Sequence, residues 1–298
     1  MAQLVHNCAR YVMRSRKHAV LLALLFTVLP LFTWLSTVIM LLVTLRQGAR
    51  EGAIIVLWIV LPHVVQAVLQ QHLVWIYAIL AGSLLPYTFA LLLRQTGSWA
   101  ILLQSAVLLA LGVITLIHLF NPDIQTFWAH YLTQSMTLAK QYIHTLPILD
   151  KQNLLWVAKL ATGLQASIFL IATLSNLIIA RGIQASLYNP GQLRPELLGI
   201  RLHKSMTLVF LLFLLARFLN FTLAYDGLPV LLLLFSLVGW SAVHSASVLL
   251  KLSKLQWFAL YICLFIFLPY SACLLIVLAC IDSCFDTRRY LQSKFISH

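Results

Sequence analysis

Residues Arg181–Lys204, RGIQASLYNPGQLRPELLGIRLHK, form the longest polar and basic interruption between two strongly apolar runs of this chain. The stretch holds four Lys or Arg residues against a single acid, Glu196. Asn189, Pro190 and Gly191 predict a tight turn, because Pro fixes φ at the second turn position and Gly accepts a positive φ at the third. In a membrane protein, short loops rich in Arg and Lys stay on the cytoplasmic side. The stretch therefore predicts a cytoplasmic loop that orients its neighbours.

Composition predicts a polytopic membrane protein. The chain has 298 residues, of which 62% are hydrophobic and only 9% are charged, and its mean hydropathy is +0.95. A soluble domain of this length cannot cover that much apolar surface, so we expect one integral membrane domain over residues 1–298. The net charge of +13 comes from Lys and Arg in short loops and at the termini, which is the positive-inside pattern. We therefore expect a lipid bilayer, and no nucleic acid, as the partner of this surface.

Two apolar runs, 19–45 and 256–284, are longer than the ~20 residues that one span needs. Each run contains a proline near its middle, Pro30 in the first and Pro269 in the second. We expect each run to form a Pro-broken hairpin of two short helices. A single span over 19–45 would invert every later span and place the basic loop outside, against the charge pattern. For 256–284, one tilted helix with a Pro kink is the alternative.

Between these hairpins the hydropathy pattern predicts an all-α transmembrane bundle of six full spans. The connections alternate in charge, so a basic lead-in (1–18), the loop 181–204 and a basic tail (285–298) should be cytoplasmic. The segments 121–153 and Tyr225–Gly227 should lie outside. The predicted spans are near 53–69, 73–93, 99–119, 154–180, 205–224 and 228–250.

The outer segment 121–153 has the pattern of an amphipathic helix. Asn121 and Pro122 predict its start, because Pro is tolerated at the first helical position. Apolar and aromatic residues such as Trp128 and Tyr131 then recur at helical spacing. This pattern predicts a helix lying in the membrane interface, either as a lid over an outward-facing site or as a plain surface helix.

A family resemblance is carried by the segment Ala180–Gly191, ARGIQASLYNPG, with Arg194, Glu196 and Ile200-Arg201-Leu202 after it. Together with a broken first hairpin that closes on Arg46, Gly48 and Gly52, and with six further spans, it resembles the YybS-like family of bacterial membrane proteins. The resemblance covers nearly the whole chain but is specific only in this segment. It implies a bacterial inner membrane and a distant likeness to the substrate-binding subunits of energy-coupling-factor vitamin transporters. It implies no established reaction and no catalytic residues.

Arg217 is the charged side chain that lies well inside one of the six predicted spans, and Asn220 follows three residues later on the same face. An intramembrane Arg is by default a hypothesis of a functional site. The alternative is an Arg that extends to the outer surface, toward Asp226. Polar residues on other spans suggest a seam that could hold a small anionic or amphiphilic ligand with Arg217, although each is also typical of interhelical hydrogen bonding. These additional candidates are Gln165, Asn176 and His244.

Enzyme signatures are missing: the sequence has no HExxH, no P-loop, no Gly-x-Ser-x-Gly and no acid pair inside a span. We therefore expect no enzyme, no metal and no cofactor. Two hypotheses remain. The first is a solute-binding or transport protein without its own ATPase, driven by a partner or an ion gradient. The second is a membrane scaffold that docks a cytoplasmic protein through the loop 181–204. The loop residues proposed for that surface are Arg181, Asn189, Pro190, Gly191, Arg194 and Arg201.

Overall fold

The computed structural model of the chain describes residues 2–29, 31–71, 76, 79–142, 150–250 and 252–285. Every regular element in these residues is a helix, which confirms the all-α prediction. A π-helical turn, Leu80–Leu84, precedes the fifth α-helix. The α-helices are α1 (Ala2–Arg14), α2 (Arg16–Val28), α3 (Thr33–Gln47), α4 (Ala49–Gln70), α5 (Leu85–Thr96), α6 (Trp99–Phe120), α7 (Ile124–Tyr142), α8 (Lys151–Tyr188), α9 (Leu193–Leu198), α10 (Lys204–Phe218), α11 (Thr222–Leu249), α12 (Lys254–Ile266) and α13 (Leu268–Phe285).

The chain forms two compact units. The first unit comprises Met1–Leu102 and Phe169–Leu197, and the second comprises Leu103–Ile168 and Leu198–His298. Each unit has buried apolar side chains of its own: Met40, Ile55 and Leu177 in the first, and Ile114, Leu231 and Phe235 in the second. The expectation of one integral domain remains a prediction.

The first apolar run forms two helices, α2 and α3, which pack against each other. The chain bends between Val28 and Thr33, so the prediction that 19–45 is not one straight helix is confirmed over the described residues. Pro30 itself lies outside them. At 1.5 Å per residue, helices of 13 and 15 residues reach only about 20–22 Å, less than the ~30 Å hydrocarbon core. Neither helix alone can therefore cross a membrane.

The middle of α3 is buried on every side, from Ser36 to Leu45. Such burial suits a helix that is apolar all round. Arg94 of α5 donates from Nη1 to the carbonyl oxygens of Thr44 (3.1 Å) and Leu45 (3.2 Å). A cation on the last carbonyls of a helix satisfies acceptors that have no partner within the helix. Arg94 therefore fixes the end of α3 inside the first unit.

Four helices in the described part of the chain are long and apolar enough to cross a membrane: Ala49–Gln70, Trp99–Phe120, Gln152–Tyr188 and Thr222–Leu249. The apolar helices thus indicate a multi-pass membrane protein. The count of six full spans remains a prediction, because part of the predicted span 73–93 lies outside the described residues. Its described portion runs from the π-helical turn into α5. The π-helical turn leads into α5 without a break, since Leu84 and Leu85 both have right-handed helical backbone angles.

Two predicted boundaries near the end of the bundle were wrong. The predicted span 205–224 ends already at Phe218, and Tyr225–Gly227, predicted as an outer loop, lies inside α11. The chain reverses at Leu219–Phe221 instead, where Asn220 has a φ of +60°. Asn is among the few residues that adopt the left-handed region readily, so it takes the reversal that the sequence prediction assigned to Tyr225–Gly227.

The last apolar run divides into α12 and α13, whose axes are bent by 110° relative to each other. The prediction that 256–284 is not one straight helix is therefore confirmed. The hairpin itself stays a prediction, and the basic tail from residue 286 onward lies outside the described residues. Within the second unit, α13 packs closely on α11, because a Cβ on Gly239 would lie only 2.1 Å from the carbonyl oxygen of Leu275.

The predicted loop 181–204 is shorter than expected. Helix α8 continues through Arg181 to Tyr188, since Gly182 alone does not stop a helix and no proline lies between Arg181 and Pro190. The predicted turn then follows: the Gln192 N–H donates to the Asn189 carbonyl at 3.3 Å, and Gly191 has a φ of +87°. This matches the turn that the sequence predicts, with Gly at the position that needs a positive φ.

The predicted amphipathic segment forms α7, which begins at Ile124. Its start is two residues later than predicted, so Pro122 lies in the turn before the helix. The helix is described as far as Tyr142, and residues 143–149 lie outside the described residues. Trp128 donates from its indole Nε1 to Thr162 Oγ1 at 2.9 Å, which attaches α7 to α8 within the second unit.

Candidate functional site

Arg217 lies in the last turn of α10 and stacks on an aromatic ring of the following helix. Its guanidinium carbon is 3.9 Å from the centroid of Tyr225 and 5.7 Å from that of Trp156. The reversal at Leu219–Phe221 creates this contact, because it returns the chain into α11 only a few residues after Arg217. The Tyr225 hydroxyl donates to Asn220 Oδ1 at 3.1 Å, which holds the ring in place. The two predicted residues Arg217 and Asn220 therefore do lie at one site.

A second cation reaches the same rings from α8. The Lys159 ammonium lies 5.4 Å from the centroid of Trp156 and 5.7 Å from that of Tyr225, and the two rings are 6.3 Å apart. Both distances lie within the range of cation–π attraction. Tyr225 is buried, whereas 45% of Trp156 is exposed. We call Trp156, Lys159, Arg217 and Tyr225 the cation–aromatic cluster.

No described carboxylate forms an ion pair with either cation of the cluster. In the described residues, the ion pairs join Arg16 to Glu51, His118 to Asp226, and Arg181 to Glu196. Asp226 is therefore not the ion-pair partner of Arg217 in this structure, and the alternative of an Arg217 that extends to the outer surface stays a prediction. The Asp226 carboxylate instead accepts a hydrogen bond from the Gly163 N–H and faces His118, while Arg217 lies over the Tyr225 ring.

Asp226 is the buried acid of α11, adjacent in sequence to Tyr225. Its Oδ1 accepts a hydrogen bond of 3.0 Å from the backbone N–H of Gly163 in α8, and its Oδ2 faces His118 Nε2 of α6 at 3.4 Å. The Asp226 side chain is 0% exposed and that of His118 is 11% exposed. We call Asp226 and His118 the buried acid–imidazole pair. A buried charge in a membrane helix is costly unless it is paired, so this position is a second functional candidate.

Gly163 permits this arrangement. An added Cβ at Gly163 would lie 1.8 Å from the backbone carbonyl oxygen of Asp226, far inside any contact that real Cβ atoms make. Helices α8 and α11 therefore meet at their backbones, and only glycine fits there. The adjacent Thr162 accepts a hydrogen bond from Trp128 of α7. The pair is thus held from three neighbouring helices, α6, α8 and α11.

The remaining predicted ligand residues do not join the cluster. Gln165 is exposed and lies nine residues, or about two and a half turns, after Trp156, which puts it on the opposite face of α8. Asn176 belongs to the first unit, whereas the cluster lies in the second. His244 lies about 27 Å along α11 from Asp226, where its Nδ1 bonds the Tyr261 hydroxyl at 3.0 Å. The polar seam through these residues stays a prediction.

The loop residues contribute a separate network within the first unit. Arg181 forms an ion pair with Glu196 and donates from Nη1 to Gln184 Oε1 at 2.6 Å. The Trp99 indole also donates to Glu196, at 3.2 Å. Burial raises the pKa of Glu196, but the hydrogen bonds from Arg181 and Trp99 and the charge of Arg181 outweigh it, so the pKa lies below its ordinary value. Arg194 is exposed.

In the second unit, the Arg201 guanidinium donates from Nε to the backbone carbonyl of Asp282 at 3.0 Å. This bond ties the segment before α10 to the end of α13. Arg201 therefore has a structural contact, in addition to any role in docking. Within the described ranges, no group of three or more His, Cys, Asp or Glu side chains could hold a metal ion.

Sequence reasoning missed Lys159, Trp156, Tyr225, Asp226 and His118 as site residues. Asp226 and Tyr225 were placed in an outer loop, and His118 comes from a helix more than a hundred positions earlier in the chain. One usable signal was the presence of an acid beside a glycine in a chain of only seven acids. No family model, no curated protein and no solved structure matches this chain.

Proposed function

We propose that the chain is an integral protein of a bacterial inner membrane that binds a small anionic ligand at the cation–aromatic cluster. One observation carries the proposal: Arg217 and Lys159 converge on the same two rings, and no described carboxylate forms an ion pair with either. A protein cation in or near the hydrocarbon region needs a counter-charge, since an unpaired Arg costs ~2.5–3.5 kcal/mol at the centre of a membrane helix. An anionic group of a ligand is the natural partner.

The two cations suit different aspects of an anion. A guanidinium presents a flat fork that bonds a carboxylate or phosphate in two places, whereas an ammonium acts as a compact point charge. Trp156 and Tyr225 add apolar faces against which the body of the ligand can pack. The proposed ligand is therefore an anion with an apolar or planar portion.

The same chemistry is offered by a free solute and by the headgroup of an acidic phospholipid, because both carry phosphate or carboxylate oxygens. Aromatic residues beside cations are also typical of the membrane interface, where lipid headgroups lie. For a free solute we propose binding in the service of transport. The chain shows no ATP-binding motif, so a partner or an ion gradient would supply the energy.

The test is mass spectrometry of compounds that remain bound to the purified full-length protein. Wild type should retain an acidic compound near stoichiometric amount, and Arg217→Gln and Lys159→Gln should each retain at least tenfold less. Arg194→Gln, which removes an exposed cation outside the cluster, should behave like wild type. Extraction into water or into organic solvent separates a free solute from a phospholipid. Equal retention by all four proteins would overturn the proposal.

A second candidate function is a scaffold that docks a cytoplasmic protein through the loop 181–204. It is supported by the network of Arg181, Glu196 and Trp99, which holds α9 in place while Arg194 stays exposed. The fitting partner would present an acidic surface. Crosslinking in membranes should then lose a partner on Arg194→Glu and keep it on Arg217→Gln. Under the anion-binding proposal, ligand retention should instead fall in Arg217→Gln and be unchanged by a substitution at Arg194.

A further inference from the structure

The buried acid–imidazole pair has one geometric feature that the proposed anion site does not use. His118 Nδ1 lies 3.1 Å from the backbone carbonyl oxygen of Ile114, one turn earlier in α6. A carbonyl oxygen only accepts hydrogen bonds, so we assign a proton to Nδ1, which donates it to Ile114. In the neutral imidazole with that tautomer, Nε2 carries a lone pair and accepts.

Nε2 faces the Asp226 carboxylate across 3.4 Å. Without a further proton, two acceptors would therefore confront each other in a buried place. Neither His118 Nε2 nor Asp226 Oδ2 has any other hydrogen-bond partner within the described residues. Leaving two buried acceptors unsatisfied costs about 1–3 kcal/mol for each group, and more where one is charged. A single proton between them removes both costs, whether it resides on the acid or on the imidazole.

We propose that His118 and Asp226 form a membrane-embedded proton-binding site that holds one shared proton. The groups around it come from five helices, α6, α7, α8, α10 and α11. On α8 the Gly163 N–H donates to the carboxylate, and on α6 His118 Nε2 faces it. The nearby cations Lys159 and Arg217 place their charges on the Tyr225 ring of α11 instead. On α7, Trp128 donates to Thr162.

The proton bound at this site would be coupled to the binding of the proposed anion. A proton taken up there adds one positive charge at the residue next to Tyr225, which carries the cations of the proposed anion site. By linkage, a nearby anion would then favour the bound proton, and the proton would favour the anion. This coupling rests on the proposed function, whereas the proton site itself does not, so the two can fail separately.

The test is infrared difference spectroscopy of the full-length protein in lipid nanodiscs, titrated with acid and base and with no added ligand. A protonated carboxylic acid has a carbonyl stretch that a carboxylate lacks. Wild type should show one component of this band with its own pH midpoint, beside those of the other acids, and Asp226→Asn should lose that component. His118→Gln should move the midpoint, because the shared proton then loses one of the two acceptors between which it lies. Asp123→Asn, an exposed acid in the same unit, should leave that component unchanged.

Two results would overturn the proposal. One is a band component that keeps the same frequency and midpoint in Asp226→Asn, which would assign it to another residue. The other is a midpoint in His118→Gln equal to that of wild type, which would show that the imidazole does not share the proton. The second variant decides the question even if Asp226→Asn fails to fold.

Discussion

Gly163→Ala tests the close approach of α8 and α11 on which both candidate sites depend. The new Cβ would lie 1.8 Å from the carbonyl oxygen of Asp226 and 2.7 Å from its carbonyl carbon. Both contacts are with backbone, so no side chain can rotate away. The helices would have to separate by roughly 1.5 Å to reach an ordinary van der Waals distance. Such a movement would also stretch the 3.0 Å hydrogen bond from the Gly163 N–H to Asp226.

The expected loss follows from these two effects. Overpacking a filled interior costs about 1–3 kcal/mol, and losing a hydrogen bond to a charged acceptor costs about 1.5–3 kcal/mol. We therefore expect the free energy of unfolding of Gly163→Ala to fall by about 3 kcal/mol or more. The control is Gly112→Ala in α6, where an added Cβ meets nothing within 4 Å. Since Ala favours a helix over Gly by up to ~1 kcal/mol, the control should be neutral or slightly stabilising.

Reversible unfolding in mixed micelles, followed by circular dichroism, measures both variants on one scale. Gly163→Ala should unfold at clearly lower denaturant than wild type, and Gly112→Ala should not. A Gly163→Ala protein within about 0.5 kcal/mol of wild type, the usual range of surface substitutions, would refute the backbone contact between α8 and α11.

Three further predictions concern orientation, pH and the guanidinium. In intact cells, on a variant without native cysteines, an impermeant thiol reagent should label Ser135→Cys and not Ser186→Cys, because positive-inside places the basic loop in the cytoplasm; the reverse pattern would contradict the orientation. Because the pKa of Glu196 is lowered, its ion pair stabilises the fold at neutral pH. This stabilisation is lost as the pH falls through the folded-state pKa. The difference in melting temperature between wild type and Glu196→Gln should therefore shrink between pH 7 and about pH 3, and a constant difference would count against the pair. Arg217→Lys should retain less ligand than wild type, since an ammonium cannot stack flat on Tyr225 or bond an anion in two places; equal retention would indicate a simple interfacial anchor.

The helical class and the breaks in the two long apolar runs could be predicted from sequence, because length and proline act locally. A run longer than one span with a central proline must bend or fold back, and both runs do. The turn at Asn189, Pro190 and Gly191 was equally local, since its residue types fix the backbone angles.

Helix ends were harder to predict, because tertiary contacts decide them. Asp226 and Gly227 suggested a loop, yet they are helical, since Asp226 finds its partners on α8 and α6 rather than in water. A Cβ on Gly227 would lie 2.1 Å from the Phe213 ring, so this glycine also serves close packing and not a turn. Polar and small residues that read as loop signals in water have a second use inside a helical bundle.

Only part of the candidate site could be predicted from the sequence. Arg217 was conspicuous as a cation within an apolar run, and Asn220 follows it on the same face. Lys159 and His118 come from helices distant in sequence, and one sequence without its fold does not indicate that they meet. Gln165 and His244 were chosen for polarity alone, which does not specify the helix face or the distance along the axis.

The most direct measurement of the anion-binding claim is an experimental density map of the protein, purified in lipid nanodiscs without steps that strip bound compounds. The proposal predicts non-protein density at the cation–aromatic cluster, with an acidic group within about 2.7–3.2 Å of the Arg217 guanidinium. The Lys159 ammonium should approach the same group. A map in which a protein carboxylate pairs with Arg217, and in which the cluster holds no other molecule, would contradict it.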